Sequence, residues 1–396
     1  MSPNARCWCG NADLLPFSPF YRKCGFCETL VRTEMPSPED LRVVDDKTDF
    51  YGRKYYESHL MEHYQYPSLQ ERARTDLSER CLHWLRVLLK YKLPPARILE
   101  LGSAHGGFVA LLRWANFDAV GLELSRWLVN FAQNTFHVPM LLGPLEEQKV
   151  QPHSLDVIAL MDVMEHLPEP AGTLTHCLNL LKTDGIFLIQ TPLLPEGLSF
   201  EQMQAEKHPF LLQLKQEEHL YLFSPKSIQE FFLRIGVPYI SGEPAIFSHY
   251  DMFLIASRSP LQNHSTEEIA QSLILSPEGR MVQALLDLEL QLKNMHEKWG
   301  EAEADRTARL DRIRELTRLF QESEADRAAR LEVIHRFGHK IDELNGQVNE
   351  LNGQVNVLNE QIGEWEKNFF FRVLRKFHLL SRRERKRFPA QTPEKS

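Results

Sequence analysis

This chain predicts an α/β fold with a mainly parallel sheet, and three observations predict it. Short β-like runs alternate with helical patterns between about residues 51 and 258. Within them, at residues 98–108, an apolar strand runs into a small-residue turn and then a helix. Near residue 280 the alternation stops abruptly and a heptad pattern replaces it. Strands alternating with helices imply a sheet covered on both faces, because each crossover helix must bury its apolar stripe against the strands.

The expected strands are 97–101, 119–122, 139–142, 155–161, 185–190 and 252–257. The expected helices between and around them are 108–114, 125–136, 172–181 and 225–235. This α/β domain is assigned to residues 51–258, with a cysteine-rich module at 1–50, a linker at 259–279, a coiled coil at 280–366 and a basic amphipathic segment at 367–396.

The coiled coil rests on apolar residues spaced alternately by three and four. One a/d frame takes in Leu285, Leu288, Leu292 and Met295, then Ile334, Phe337, Ile341, Leu344, Val348, Leu351, Val355 and Leu358. EADRTARL at 303–310 returns as EADRAARL at 324–331, an offset of 21 residues or three heptads. Arg306, Arg309, Arg327 and Arg330 fall on the seam and weaken it there. A homo-oligomer is the expected consequence, on a rod on the order of 100 Å at 1.5 Å per residue.

A formal net charge of −8 argues against a nucleic-acid partner. Charge is uneven, however. Phe370, Val373, Leu374, Phe377 and Leu380 share one helical face opposite Arg372, Arg375, Lys376, Arg382 and Arg383. That pattern reads as an interfacial anchor, so 367–388 is expected to meet a membrane surface or a glycosyltransferase partner. With no secretory leader or apolar span of about 20 residues, the expected location is cytoplasmic, peripheral on the inner face of the membrane.

The turn reads Glu100-Leu101-Gly102-Ser103-Ala104-His105-Gly106-Gly107-Phe108. Small residues let the backbone turn sharply and approach a ligand. A dinucleotide would set its anionic pyrophosphate at this helix N-terminus, where Glu100 repels it. S-adenosylmethionine carries an ammonium and a sulfonium there instead, and a carboxylate becomes an asset. Glu123, about 20 residues on, stands where an acid accepts ribose hydroxyls.

Together with Asp162-Val163-Met164-Glu165-His166-Leu167-Pro168 and the 180–192 segment, these motifs resemble successive motifs of class I S-adenosylmethionine-dependent methyltransferases. The resemblance covers about 90–258 and implies a Rossmann-like seven-stranded methyltransferase sheet. It implies that Glu100, Gly102, Ala104 and Gly106 surround the methionine part, and that Glu123 and Leu124 hold the ribose and flank the adenine. Leu145 or Glu146 would reach the adenine, and Asp162 would lie beside the reactive methyl.

A weakly acidic hydroxyl acceptor needs a base near neutral pH. Two histidines stand at the expected active-site edge: His219, within Glu217-Glu218-His219-Leu220, is the preferred base, and His166 is the second candidate. Glu218 is expected to be solvated, and the insertion at 193–216 reads as a substrate lid.

Cys7, Cys9, Cys24 and Cys27 form C-x-C and C-x2-C pairs. Four thiolates suit a structural zinc, which would hold a segment too small for its own core. The module resembles the zinc ribbon preceding some sugar-modifying methyltransferases. The expected function is O-methylation of a sugar or glycan in surface polysaccharide biosynthesis. Sugar C-methylation and a catalytically inactive coiled-coil scaffold are the other two readings.

Overall fold

A computed structural model describes residues 6–37 and 39–376. The chain divides into two compact units, Met1–His296 and Glu297–Ser396.

The first unit opens with a three-stranded ribbon: β1 (Leu14–Pro16), β2 (Tyr21–Cys24) and β3 (Leu30–Arg32). Helices α1 (Leu60–Tyr64), α2 (Leu69–Asp76) and α3 (Leu82–Tyr91) follow. The alternating region then gives β4 (Arg97–Leu101), α4 (Gly107–Trp114), β5 (Asp118–Glu123), α5 (Arg126–Phe136), β6 (Met140–Leu142) and β7 (Leu155–Met161). It continues through α6 (Pro170–Leu180), β8 (Leu181–Pro192), α7 (Phe200–Glu206), β9 (Tyr221–Leu222) and α8 (Pro225–Arg234). β10 (Tyr239–Glu243), β11 (Asp251–Ser257) and α9 (Thr266–Leu273) complete it.

Seven strands form the main sheet in the order β10-β11-β8-β7-β4-β5-β6. β6, β5, β4, β7 and β8 run parallel, while β11 is antiparallel to both β8 and β10. The order switches direction between β4 and β7, so the loops leaving these two strands flank a crevice at their carboxyl ends. In open α/β sheets that crevice is the ligand site.

Period-two alternation divides each central strand between two cores. Val157, Ala159 and Met161 of β7 pack toward α3 and α4, whereas Ile158 and Leu160 pack toward α6 and α8. Both faces are covered, which is why the central strands read as unbroken apolar runs. Helix starts follow local chemistry: Ser125 caps α5 by accepting from Leu128 N at 3.3 Å, and Ser224 with Ser227 forms a capping box before Pro225.

Strand β10 was not expected. Its Tyr-Ile-Ser-Gly-Glu sequence lies at the sheet edge, half exposed, and lacks the apolar run that marks its neighbours. The stretch 259–279 also carries structure, since α9 begins at a Ser265–Glu268 capping box and buries Leu273. Val282 and Leu286, at the start of α10 (Pro277–Lys367), are buried as well, and the Arg86 guanidinium binds Glu289 at 2.6 Å.

In the second unit α10 runs on to Lys367, followed by α11 (Phe369–Lys376). Ile313, Phe320, Phe337 and Ile341 are exposed in the single chain. The repeat's seam arginines pair within their own helix: Arg306 with Glu303, Arg309 with Asp305, Arg327 with Glu324 and Arg330 with Asp326. Each such pair supports the helix by roughly 0.2–0.5 kcal/mol, so the repeat strengthens the helix where its seam is polar. Among the described residues no helix is long and apolar enough to cross a membrane. Most of the basic segment, 377–396, lies outside the described residues.

Candidate active site

The turn after β4 places three residues in the left-handed region: Gly102 at φ +64°, Ala104 at +45° and Gly106 at +77°. Glycine is required at two of them. A Cβ on residue 102 would stand 2.6 Å from Val163 Cγ2, and one on residue 106 would stand 2.6 Å from Ala132 Cβ. Ala104 accepts the strained conformation, at a cost of roughly 1–2 kcal/mol, while its N–H donates to Glu123 Oε2 at 2.9 Å. Ala104→Gly is therefore expected to raise the unfolding free energy by up to about 1 kcal/mol, after subtracting the entropy glycine adds to the unfolded chain. A urea titration checks this, and a lowered midpoint would contradict it.

His105 locks the turn from behind. Its Nε2–H donates to Asp76 Oδ2 at 3.0 Å, and its Nδ1 accepts the Gly107 N–H at 3.1 Å. One neutral tautomer satisfies both contacts.

Two carboxylates end adjacent parallel strands. Glu123 is buried and accepts from Ala104 N, Leu124 N and Ser125 N. Burial pushes its pKa up, and these backbone donors work against that rise. Glu100 is buried too, but its Oε2 has no hydrogen-bond partner. Burial first, and then the charge of Glu123, pushes its pKa up to about 8.

Asp162 follows β7 with φ +57°. Its Oδ2 accepts from Arg80 at 3.0 Å, and its Oδ1 accepts from Gln190 Nε2 at 2.9 Å. Trp84 Nε1–H in turn fixes Gln190 through its amide oxygen at 2.9 Å. Asp251, at the start of β11, lines the same cavity, and burial followed by the charge of Asp162 pushes it up to about 8.

The two histidines lie against each other, ring centroids 5.0 Å apart. His166 Nδ1–H donates to the Glu218 carbonyl at 2.9 Å, and His219 Nδ1–H donates to the Gln213 carbonyl at 2.8 Å. Each carbonyl can only accept, so each ring keeps its lone pair on Nε2. Burial lowers both pKa values, that of His219 far below the ordinary range. Burial therefore favours the neutral form of both imidazoles.

Glu218 is buried rather than solvated. Its carboxylate accepts from Tyr55 OH at 2.9 Å and meets His59 Nε2 at 3.1 Å, with Lys215 Nζ at 3.7 Å. The insertion at 193–216 folds onto the ribbon, where Leu194, Met203 and Phe210 pack with Tyr21, Leu30 and Leu222. Tyr21 OH donates to the His219 carbonyl at 2.9 Å. The ribbon therefore braces the segment that carries this histidine.

Most of the polar groups above line one cavity of about 540 Å³. Glu100, Gly102, Ala104, Glu123, Leu124, Leu145, Glu146, Asp162, His166 and His219 all line it; Gly106 shapes the turn behind. Leu145 and Glu146 arrive on the single turn Leu145–Glu147 after β6. Arg80, Asp251, Tyr51 and Tyr55 were missed by sequence reasoning. The aromatic run Tyr51-Gly52-Arg53-Lys54-Tyr55-Tyr56 was the available signal for the tyrosines, whereas Arg80 and Asp251 carry no local signature.

Away from the cavity, Cys7, Cys9, Cys24 and Cys27 converge with all four sulfurs within 4.8 Å of one another. Cys7 and Cys27 sulfurs are 3.4 Å apart, and those of Cys9 and Cys24 are 3.6 Å apart. A tetrahedral site with Zn–S bonds of about 2.3 Å has sulfur–sulfur edges of roughly 3.8 Å. The one-residue spacing of the first pair is accommodated by Gly10, at φ +85°, whose N–H returns to the Cys7 carbonyl at 2.8 Å.

Comparison with known proteins settles the family of the central region. A family model described as a methyltransferase domain matches residues 71–241. These residues are a methyltransferase domain. Its strand order, with one reversed strand next to the edge, is that of the class I, S-adenosylmethionine-dependent group implied by the motifs.

Curated relatives of the methyltransferase domain include ubiquinone biosynthesis O-methyltransferases. The Xanthomonas campestris pv. campestris (strain B100) protein is 26% identical over 111 residues, covering 26% of this chain and 46% of its own. That of Neisseria meningitidis serogroup C is 44% identical over 43 residues, covering 11% of this chain and 18% of its own. The chain thus spans less than half the length of these relatives. Among solved structures, a chain of the Haloferax volcanii complex of the Trm112 methyltransferase activator with a methyltransferase is 17% identical, with a TM-score of 0.38. That match covers 48% of this chain and 94% of its own. The O-methyltransferase family 2 protein from Planctomyces limnophilus, in complex with apigenin, is 15% identical, with a TM-score of 0.39 and coverage of 48% and 60%.

Proposed function

We propose that this protein transfers a methyl group from S-adenosylmethionine to a hydroxyl oxygen of a sugar or glycan. One observation carries the cofactor: a buried carboxylate oxygen, Glu100 Oε2, has no partner beside a turn built to admit a ligand. An ammonium satisfies it, whereas a pyrophosphate adds a second anion.

The cofactor, when bound, supplies a methyl activated on a sulfonium. Gly102 and Ala104 let the backbone approach its methionine part, with Gly106 completing the turn. Glu123 keeps lone pairs for the ribose hydroxyls despite its three backbone donors, and Leu124, Leu145 and Glu146 border the adenine. Asp162, held by Arg80 and Gln190, borders the methyl end. His219 and His166 activate the acceptor, since both direct a bare Nε2 into a cavity that also orders the hydroxyls of Tyr51 and Tyr55. Transfer to oxygen agrees with the names of the curated relatives, and the cysteine ribbon favours a sugar acceptor by resemblance to sugar-modifying enzymes.

Calorimetry with S-adenosylmethionine tests the cofactor. Transfer of labelled methyl to a panel of nucleotide-linked and polymeric sugars, with the product position read by NMR, tests the acceptor. Oxygen-linked product is expected. Carbon-linked product would replace the O-methyl reading, and binding without turnover on any acceptor would favour the scaffold.

Zinc in the four-cysteine site is proposed to be structural, since a closed shell of four thiolates leaves no open position. The exposed seam of the second unit is proposed to pair with other copies of this chain. Leu344→Asp with Leu351→Asp is then expected to convert an oligomer to a monomer by sedimentation equilibrium, and an unchanged mass would refute the pairing. The segment 367–388 is proposed to direct the enzyme to a membrane surface or glycosyltransferase.

A further inference from the structure

The cavity contains a cluster whose arrangement exceeds what proton transfer needs. One carboxylate oxygen of Glu165 and one nitrogen each of His166 and His219 lie within 4.8 Å of one another. We propose that Glu165, His166 and His219 form a second metal centre, which holds a divalent transition-metal ion and presents it to the acceptor hydroxyl.

Four features support this. Both imidazoles are oriented by a backbone carbonyl at Nδ1, from Glu218 and Gln213, which leaves Nε2 as the coordinating atom. That outer hydrogen bond is the usual support of a metal-bound histidine. Glu165 is anchored likewise: Thr191 OH donates to Oε2 at 2.9 Å. Oε1 stands 4.0 Å from His166 Nε2, too far for a hydrogen bond, so the two groups do not satisfy each other directly. Among the described residues no lysine or arginine pairs with Glu165, although it is almost fully buried. A cation between these three atoms resolves the arrangement.

The donor set narrows the metal. Two imidazoles and one carboxylate suit Zn²⁺, Fe²⁺, Mn²⁺ or Co²⁺ better than Mg²⁺ or Ca²⁺, which take oxygen shells. Three protein ligands leave open positions, in contrast to the four thiolates of the ribbon, and open positions belong to catalytic metals. A hydroxyl oxygen bound to such an ion loses its proton to water more readily. Its lone pair then forms the O–CH3 bond as the C–S bond breaks, and the electron pair leaves with sulfur as a neutral thioether. The role given to the acceptor rests on the methyl-transfer reading above, whereas the metal site itself does not.

The test uses the full chain loaded with zinc at its thiolates and titrated with Mn²⁺, a metal poorly suited to sulfur. Calorimetry is expected to show one Mn²⁺ per chain, and pulsed EPR to show nitrogen coupling from two imidazoles. His219→Ala should remove one coupling and weaken binding at least about tenfold, and Glu165→Gln should weaken it similarly. Thermal melts establish that both variants fold. A wild-type chain that takes up neither Mn²⁺, Co²⁺ nor a second Zn²⁺ overturns the proposal, as do folded variants with unchanged binding. Manganese bound by a chain that ignores S-adenosylmethionine would instead overturn the methyl-transfer reading alone.

Discussion

Glu100→Gln is expected to weaken S-adenosylmethionine binding by about 2–5 kcal/mol, the usual effect of truncating one partner of a buried charge pair. The substitution keeps shape and volume but removes the only charge that the turn offers an ammonium. It also has a second, opposite signature. Burial and the neighbouring Glu123 push Glu100 up to about 8 from an ordinary value of 4.5, so the folded protein holds this proton more tightly than the unfolded chain. Stability from this group is complete below about 4.5 and is lost as pH rises through 8. The unliganded wild type should therefore lose thermal stability across that window relative to Glu100→Gln, while its cofactor affinity rises across the same window as the carboxylate ionises. Paired melting and calorimetric series measure both trends. A variant that matched wild type in affinity, or a stability difference independent of pH, would disprove the role of this carboxylate.

Cys27→Ser should be the most damaging single change outside the cavity. Its sulfur lies 3.4 Å from that of Cys7 in a ribbon with few other staples. Apparent zinc affinities in small modules correspond to about 10–16 kcal/mol of folding free energy, so a loss on the order of 5 kcal/mol is expected here. For a unit of this size that lowers Tm by more than about 10 °C. The damage should also reach activity, because β3 pairs with β9 immediately after His219 and Tyr21 holds the His219 carbonyl. Chelation of the wild type should reproduce the effect, and added zinc should reverse it. A variant with unaltered Tm and zinc content would remove the ribbon from the account.

Much of the methyltransferase domain is legible in the sequence alone. The expected 97–101 and 155–161 coincide with β4 and β7, because buried parallel strands leave continuous apolar runs bounded by turn residues. Gly102 and Gly106 announced a close backbone approach, and their left-handed φ values with 2.6 Å Cβ contacts supply the reason. Ser125 read as the start of a helix and is its cap.

Other features were closed to such reading. Asp162 was found by its motif, but the Arg80 and Gln190 that hold it come from 82 residues before and 28 after. Glu218 follows the exposed Gln216 and Glu217, yet Tyr55 and His59, 163 and 159 residues earlier, enclose it together with the neighbouring Lys215.

The order of chemical types along the chain therefore determined the α/β alternation, the small-residue turn, the strand-end acids and the heptads, since periodicity and backbone sterics act over a few residues. Only tertiary structure decided which of those acids would be buried without a partner, which nitrogen of each histidine would stay bare, and that Glu165 would meet both rings. Those outcomes depend on desolvation and on carbonyls brought in from distant segments, and neither is encoded within a local window.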